Sequence, residues 1–373
     1  MEIADTLTDS QVITEQKSKS QNQESINSQE KIELKSLGQY ARELTQVLPK
    51  NLLKREPMRL KWLVFFYASI AAIIYAQLSL ELIWPVRLLL AVAMGTFVSS
   101  AGLFAHELFH GSIVANKTVQ NILGQIGLAP YLVSPTYWKF WHNQLHHGNT
   151  QLLYKEPDAF PTRSIWKRSA FMKTILPLTP GSGHPLSFLY LFYWFPFQAT
   201  LNQVYMRFNN KMWDKMNHTR VTIEFIIQCV LITTYIYFIG SQNWLFLVII
   251  PFMVQNYTAM SYISTNHNLS PYTKINDPLV NSLTVTNNPI LEAIHLNFGY
   301  HTEHHIFPTM PMSRAKLVSQ KLKELYPERY MIMPKFQALK KLYTTPRLYK
   351  DRYTLVDPKT EKEYQTLGSE KLH

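Results

Sequence analysis

Two predominantly apolar blocks, Trp62 to Leu78 and Leu88 to Phe104, are separated by a short loop carrying Glu81 and Arg87. Each is about 17 residues long, near the lower limit for a helix crossing a bilayer core. Together they predict a helical hairpin. A second hairpin is predicted from Val221 to Ile239 and Trp244 to Ser264, joined by the uncharged Gly240-Ser241-Gln242-Asn243. Two other apolar stretches need a different reading. Ile122 to Val133 is too short to span and predicts a re-entrant or interfacial segment. Pro185 to Tyr205, with Pro196 in its middle, is long enough by count. A fifth span there would put the last histidine cluster on the opposite face from the earlier ones, so it predicts an interfacial segment too.

Polar residues set the borders. Residues 1–36 are rich in Ser, Gln, Glu and Lys and contain no aromatic residue. Such a segment cannot bury enough apolar surface to fold and predicts a disordered tail, too short for a fused haem or flavin domain. Residues 37–345 form the expected membrane domain, and 346–373 a polar C-terminal tail. No internal repeat and no cleavable secretory signal are evident. Lys50, Lys54, Arg55, Arg59 and Lys61 precede the first hairpin; Arg207, Lys211, Lys215 and Arg220 precede the second. Cytoplasmic loops carry such an excess of Lys and Arg, so both termini and the histidine clusters are expected on the cytoplasmic side.

Composition changes this picture little. Charged residues are 17% of the chain, below the roughly 25% of soluble proteins. The net charge of +12 could suggest nucleic acid, but the basic residues flank apolar blocks, as loops facing anionic lipid do. Cys229, the only cysteine, lies in an apolar run, which excludes an intramolecular disulfide and a cysteine-held iron–sulfur or multi-cysteine zinc site.

The candidate chemistry lies in the histidines. Of 13, eight fall in three clusters: HELFH with His106 and His110, HNQLHH with His142, His146 and His147, and HTEHH with His301, His304 and His305. On an α-helix residues four apart share a face, so His106 and His110 pair, and the three histidines of HTEHH fit one narrow sector. In an α-helical HNQLHH, His147 would point well away from His142, which suits two metals better than one. Imidazole serves iron, zinc, copper and nickel alike. Eight histidines exceed the three or four of a zinc site, so two metals are expected. An isolated histidine is more often structural, and His184, His218 and His373 are read that way. HELFH also fits the HExxH zinc protease pattern, with Glu107 as general base, but that reading leaves the other two clusters without a role.

The ordered triple HxxxH, HxxxHH and HxxHH, with HHGNTQ and NFGYHTEHHIFP around the later two, resembles the integral-membrane fatty acid desaturase family over roughly residues 60 to 325. The resemblance implies an all-α membrane protein with four transmembrane helices, interfacial helices and a cytosolic histidine-rich cap around two irons, which zinc can replace on overexpression. It implies a ninth metal ligand just after the fourth span, where His267 lies; His295, six residues before HTEHH, is read as a residue that supports the ligands rather than one of them. An asparagine that some members bridge to the metal through water would fall at Ile263; Asn266 is the other place for it. Glu107, Asp158 and Glu303 are candidates to accept ring N–H bonds and orient the imidazoles.

The implied reaction is O₂-dependent formation of a C=C bond in a fatty acyl chain. A lipid or carotenoid hydroxylase on the same scaffold is the alternative. Expected partners are an acyl lipid, acyl-CoA or acyl-carrier substrate, O₂, membrane lipid and a separate electron donor of ferredoxin or cytochrome b5 type.

Overall fold

The computed structural model describes residues 33–369. The predicted N-terminal tail up to residue 32, and His373, lie outside the described residues. The chain is mostly helical. Among the described residues four helices are long and apolar enough to cross a membrane: Pro57–Ser79, Trp84–Phe109, His218–Ile239 and Leu245–His267. We call the α-helical parts α1 (Leu60–Ser79), α2 (Trp84–Phe109), α3 (His218–Ile239) and α4 (Ile250–His267). They follow the two predicted hairpins. At their C-terminal ends α2 and α4 run beyond the apolar windows, because His106 and His267 continue the last helical turns rather than starting loops.

The four helices are not equivalent. α2 and α4 are the inner pair, and α1 and α3 carry many exposed apolar side chains outside them, including Val64, Tyr75, Ile226 and Val230. Gly95 sets the inner contact: a Cβ there would lie 2.6 Å from Val254 Cβ and 2.8 Å from the Pro251 carbonyl oxygen. Only a residue without a side chain lets the two backbones approach so closely. Their parallel C-terminal ends therefore emerge side by side, with His106 on one and His267 on the other.

Neither shorter apolar stretch is among the four long helices. The first forms a helix from Lys117 to Leu128 beside α2, its first turn closed by the Asn116 side chain, which accepts from the Thr118 and Val119 amides. The second forms a helix from Tyr190 to Leu201 with Pro196 inside it, packed against α4. Gln203, just beyond it, accepts from the Ser134 amide at 2.9 Å and donates to the Leu132 carbonyl at 2.7 Å. That tie places this element against the segment leading to HNQLHH.

The segment after residue 345 is not a free polar tail. Strands Thr354–Val356 and Glu363–Gln365 pair antiparallel, and Leu348, Tyr349, Leu355 and Val356 are buried. Tyr349 OH donates to the Ser270 carbonyl at 2.6 Å, and the Leu367 amide to the Leu269 carbonyl at 2.7 Å. Averaged composition hid a few spaced apolar residues that fold this segment over the turn following α4.

Candidate metal centre

Three short elements bring the histidines together. His106 closes α2 and His110 follows as its cap. HNQLHH lies on a helix that begins at Pro135–Trp138 and continues as the π-helical Lys139–His146. His301–Ile306 is a separate short helix, seated where Val285 of strand Thr284–Thr286 donates to the Gly299 carbonyl at 2.9 Å. A side chain at Gly299 would collide with the Val285 carbonyl, so the glycine of NFGYHTEHH lets this strand lie against the helix start.

The nine histidines form two groups. In each, the candidate ligand atoms lie within 4.8 Å of one another: His106, His110, His142, His147 and His304 in the first, His146, His267, His301 and His305 in the second. In the first, Nε2 of His142 faces Nε2 of His106 at 3.0 Å and of His147 at 3.0 Å, and His147 faces His304 at 3.1 Å. In the second, Nε2 of His267 faces His301 at 2.7 Å and His305 at 3.3 Å. The His147 and His305 rings stack at 4.4 Å and join the groups.

The assignment within HNQLHH differs from the sequence expectation. His142 and His147 do not diverge; they share a group, and His146 belongs to the other. The cause is the π-helix, in which the His147 amide donates to the His142 carbonyl five residues back. One extra residue per turn brings positions five apart onto one face. HTEHH also serves both groups, with His301 and His305 in one and His304 in the other.

The donor set fits bound cations. Glu156 Oε2 lies 3.0 Å from His146 Nδ1; a carboxylate can only accept, so Nδ1 carries a proton, and in the neutral ring Nε2 is the lone pair left for a cation. His267 Nδ1 likewise donates to the Asn281 carbonyl at 3.2 Å. Thr150 gives its hydroxyl proton to the His146 carbonyl, so His305 Nδ1 donates to Thr150 Oγ1 at 3.3 Å. Three of four imidazoles in the second group thus present lone pairs, and among the described residues no donor meets them all. In the first group Nε2 of His110 likewise has no partner among the described residues. A metal ion in each group would satisfy this convergence, and an all-imidazole set suits iron, zinc, copper or nickel.

Burial and neighbouring histidines hold His110, His142, His147, His301 and His305 well below the usual imidazole range, and His304 at about 3. His146 is the exception: burial opposes its charging, but the Glu156 carboxylate and its hydrogen bond outweigh burial and raise it. Histidines that stay neutral when folded but charge when unfolded stabilise the fold above about pH 6.5, and that stability is lost as pH falls. The chelator-treated protein is therefore expected to lose stability progressively as pH falls from about 6.5 to 5. Thermal melts in detergent across this range check it; a melting temperature flat to pH 5 would contradict neutral, clustered imidazoles.

The carboxylates behave differently from expectation. Glu156, which sequence reasoning passed over, is the acid that meets a ring; Asp158 of the same KEPDAFP run instead accepts from Gln198 Nε2 at 2.9 Å. Burial and the adjacent Glu156 push Asp158 up to about 7. Glu107 accepts from Arg59 Nη2 at 2.7 Å and the Met312 amide at 2.8 Å, and Glu303 accepts from Thr284 Oγ1 at 2.7 Å and from Tyr330. These two brace the helices that carry the histidines and orient no ring directly. A Glu107 so engaged is not placed as the general base of a protease. His295 joins neither group; its Nδ1 meets Tyr262 OH at 2.9 Å. Asn266 is fully buried with neither amide atom partnered among the described residues, while Ile263 lines the adjoining cavity.

That cavity is narrow and apolar. Leu103, Tyr131, Trp138, Trp141, Phe195 and Phe298 form much of its wall, and His106, His142, His146, His267 and His301 lie along it. Trp138 stacks on His142 with ring centroids 4.4 Å apart. An apolar slot beside a polar cluster suits a substrate whose reacting portion is hydrocarbon.

A family model described as fatty acid desaturase matches residues 82–337, more than half of the chain. The chain is 23% identical over 272 residues to the chloroplastic omega-6 fatty acid desaturase of Spinacia oleracea, covering 68% of this chain and 58% of that protein. It is 23% identical over 320 residues to the sn-1 acyl-lipid omega-3 desaturase (ferredoxin) of Synechocystis sp., covering 81% and 86%. With the Delta(8)-fatty-acid desaturase of Euglena gracilis it shares 22% identity over 258 residues, covering 63% and 60%. The chain therefore spans less than two thirds of the spinach and Euglena proteins.

Proposed function

We propose that this chain, which belongs to the fatty acid desaturase family, forms a C=C bond in a fatty acyl chain with O₂ and electrons from a separate donor. The observation that carries the reading is the apolar slot running along two buried histidine groups. His106, His110, His142, His147 and His304 would hold one iron, and His146, His267, His301 and His305 the other. A pair of irons supplies an oxidant able to take hydrogen from an unactivated C–H bond, which no side chain here can do.

The protein's own residues do the rest. Leu103, Trp141 and Phe195 hold hydrocarbon and exclude water. Glu156, Asn281 and Thr150 fix the Nδ1 protons and so direct Nε2 of their partners into the second group. Because the slot leaves little room for movement, it presents one stretch of chain to the histidines; orientation of this kind converts a flexible chain into a positioned reactant.

Expression in a host with a simple fatty-acid profile tests the reading. An acyl product two mass units lighter than its precursor is expected, and loss of that product when His304 is replaced by Ala. A product sixteen units heavier would instead indicate the hydroxylase alternative, and neither product would sink both.

The membrane orientation follows the basic residues flanking the hairpins: the histidine groups and both termini lie on the cytoplasmic side. The donor is of ferredoxin or cytochrome b5 type, the former being named for the Synechocystis relative. Single cysteines at Lys54, Lys167 and Lys359, in a Cys229→Ser background, should label from the cytoplasm, and one at Gln242 from the other face. Labelling of Lys54 and Lys359 positions from opposite faces would rule the arrangement out.

A further inference from the structure

A second, larger cavity of about 540 Å³ lies beside the slot, between the segment 157–179 and the helix Tyr190–Leu201 with the turn that follows it. Asp158 lines both cavities. Gln198, a wall residue of the larger one, donates to Asp158 Oδ1 at 2.9 Å, so this hydrogen-bonded pair stands at the place where the two spaces meet. The rest of the larger chamber is chiefly apolar, with Met172, Ile175, Trp194 and Leu201 among its walls.

Its outer rim is unusual for a surface in water. Phe171, Phe197 and Tyr205 line the chamber and are at the same time exposed. Leu186, Phe188, Val204 and Phe208 continue the exposed apolar surface along the same element. Lys167, Arg168 and Lys173, which precede this surface in the chain, and Lys211 and Lys215, which follow it, are exposed. A run of exposed aromatic and aliphatic side chains bordered by Lys and Arg is the pattern of an element lying in the headgroup–acyl boundary of a bilayer. A mouth with that rim opens to lipid rather than to water.

Resting on the desaturase reading above, we propose that the chamber is the doorway for an acyl chain still esterified to a bilayer glycerolipid. The chain slides in from the membrane between Phe171 and Tyr205. It passes the Asp158–Gln198 pair and reaches the histidine-lined slot, while the headgroup stays among the flanking lysines and arginines. Asp158 and Gln198 are positioning residues: they offer hydrocarbon one polar constriction and thereby mark where chamber becomes slot.

The experiment uses the full chain in nanodiscs of phosphatidylcholine and phosphatidylglycerol doped with phosphatidylcholine bearing a photoreactive diazirine in one acyl chain. After irradiation, mass spectrometry is expected to find adducts on residues 169–176 and 194–206. Met172→Trp and, separately, Leu201→Trp, which fill the chamber, should cut those adducts and glycerolipid desaturation at least fivefold while metal content is kept. Leu186→Trp, on the same surface but outside the chamber, should change neither. Adducts confined to α1 and α3, or chamber adducts obtained only with a diazirine acyl-CoA, would overturn the proposal. The two readings separate cleanly. Chamber adducts from a chain that makes no alkene would remove the desaturase reading and leave the lipid doorway. Alkene formation untouched by both tryptophans would do the reverse.

Discussion

Replacing His267 with alanine is expected to abolish product formation and to lower the metal content from two per chain to one. His267 ends α4 and faces both His301 and His305 through Nε2, and those two also face each other, so it is one corner of a triangle of nitrogens in the second group. Its Nδ1 is fixed by the Asn281 carbonyl, which leaves Nε2 with no proton to give and a lone pair to offer a cation. Alanine removes one of four nitrogens from that group, and nothing nearby replaces it. Loss of a residue that only supports a ligand costs roughly 10- to 100-fold in affinity or activity, so loss of the nitrogen itself should exceed that range. Elemental analysis of the purified protein and lipid analysis of the host measure the two effects. His184→Ala is the matched control: His184 Nδ1 accepts from the Leu186 amide at 3.1 Å, far from either group in role, and near-normal activity is expected. Retention of both metals and most activity in His267→Ala would remove His267 from the site. His295 would not inherit its place, since Tyr262 already holds that ring.

Glu156→Ala should produce the next largest effect, a fall of about 10- to 100-fold in metal affinity or turnover. Among the described residues this carboxylate is the one acid hydrogen-bonded to a ring of either group, and both it and His146 are buried. Without it the His146 ring is free to turn or to change tautomer, and Nε2 no longer points dependably into the second group. Removing one partner of a buried pair can also cost about 3–5 kcal/mol of stability, which would confuse the result. Glu156→Gln separates the two effects, because its amide oxygen can still accept from Nδ1 without the charge; it should fold normally and lose much less activity than the alanine variant. Asp158→Asn should change metal content less than Glu156→Ala, because Asp158 lies close to His146 but accepts its hydrogen bond from Gln198. Equal metal affinity in wild type and Glu156→Ala would show that His146 needs no orienting acid.

The sequence by itself determined the four apolar helices, their grouping into two hairpins and the histidines that converge. These properties are local: a run of apolar residues commits to a helix in lipid because every backbone polar group must be satisfied within the segment. Histidines repeated at short intervals announce their joint purpose wherever the chain goes. His267 was legible too, but only through the family resemblance, since a single histidine at a helix end carries no pattern of its own.

Tertiary structure decided which histidines share a group. The division of HNQLHH between the two groups depends on a π-helical turn, and nothing in six residues distinguishes that from an α-helix. The choice of Glu156 over Asp158 is likewise a matter of where a loop folds back, ten residues after His146. Glu107 and Glu303 sit inside the histidine motifs, yet their side chains leave the rings for Arg59, Met312, Thr284 and Tyr330, partners far away in the chain. The C-terminal segment folded because a few spaced apolar residues found the surface beyond α4, a gain that average composition cannot register. Helices and donors are written residue by residue. The pairings among them depend on long-range contacts, which form only when the whole chain has packed.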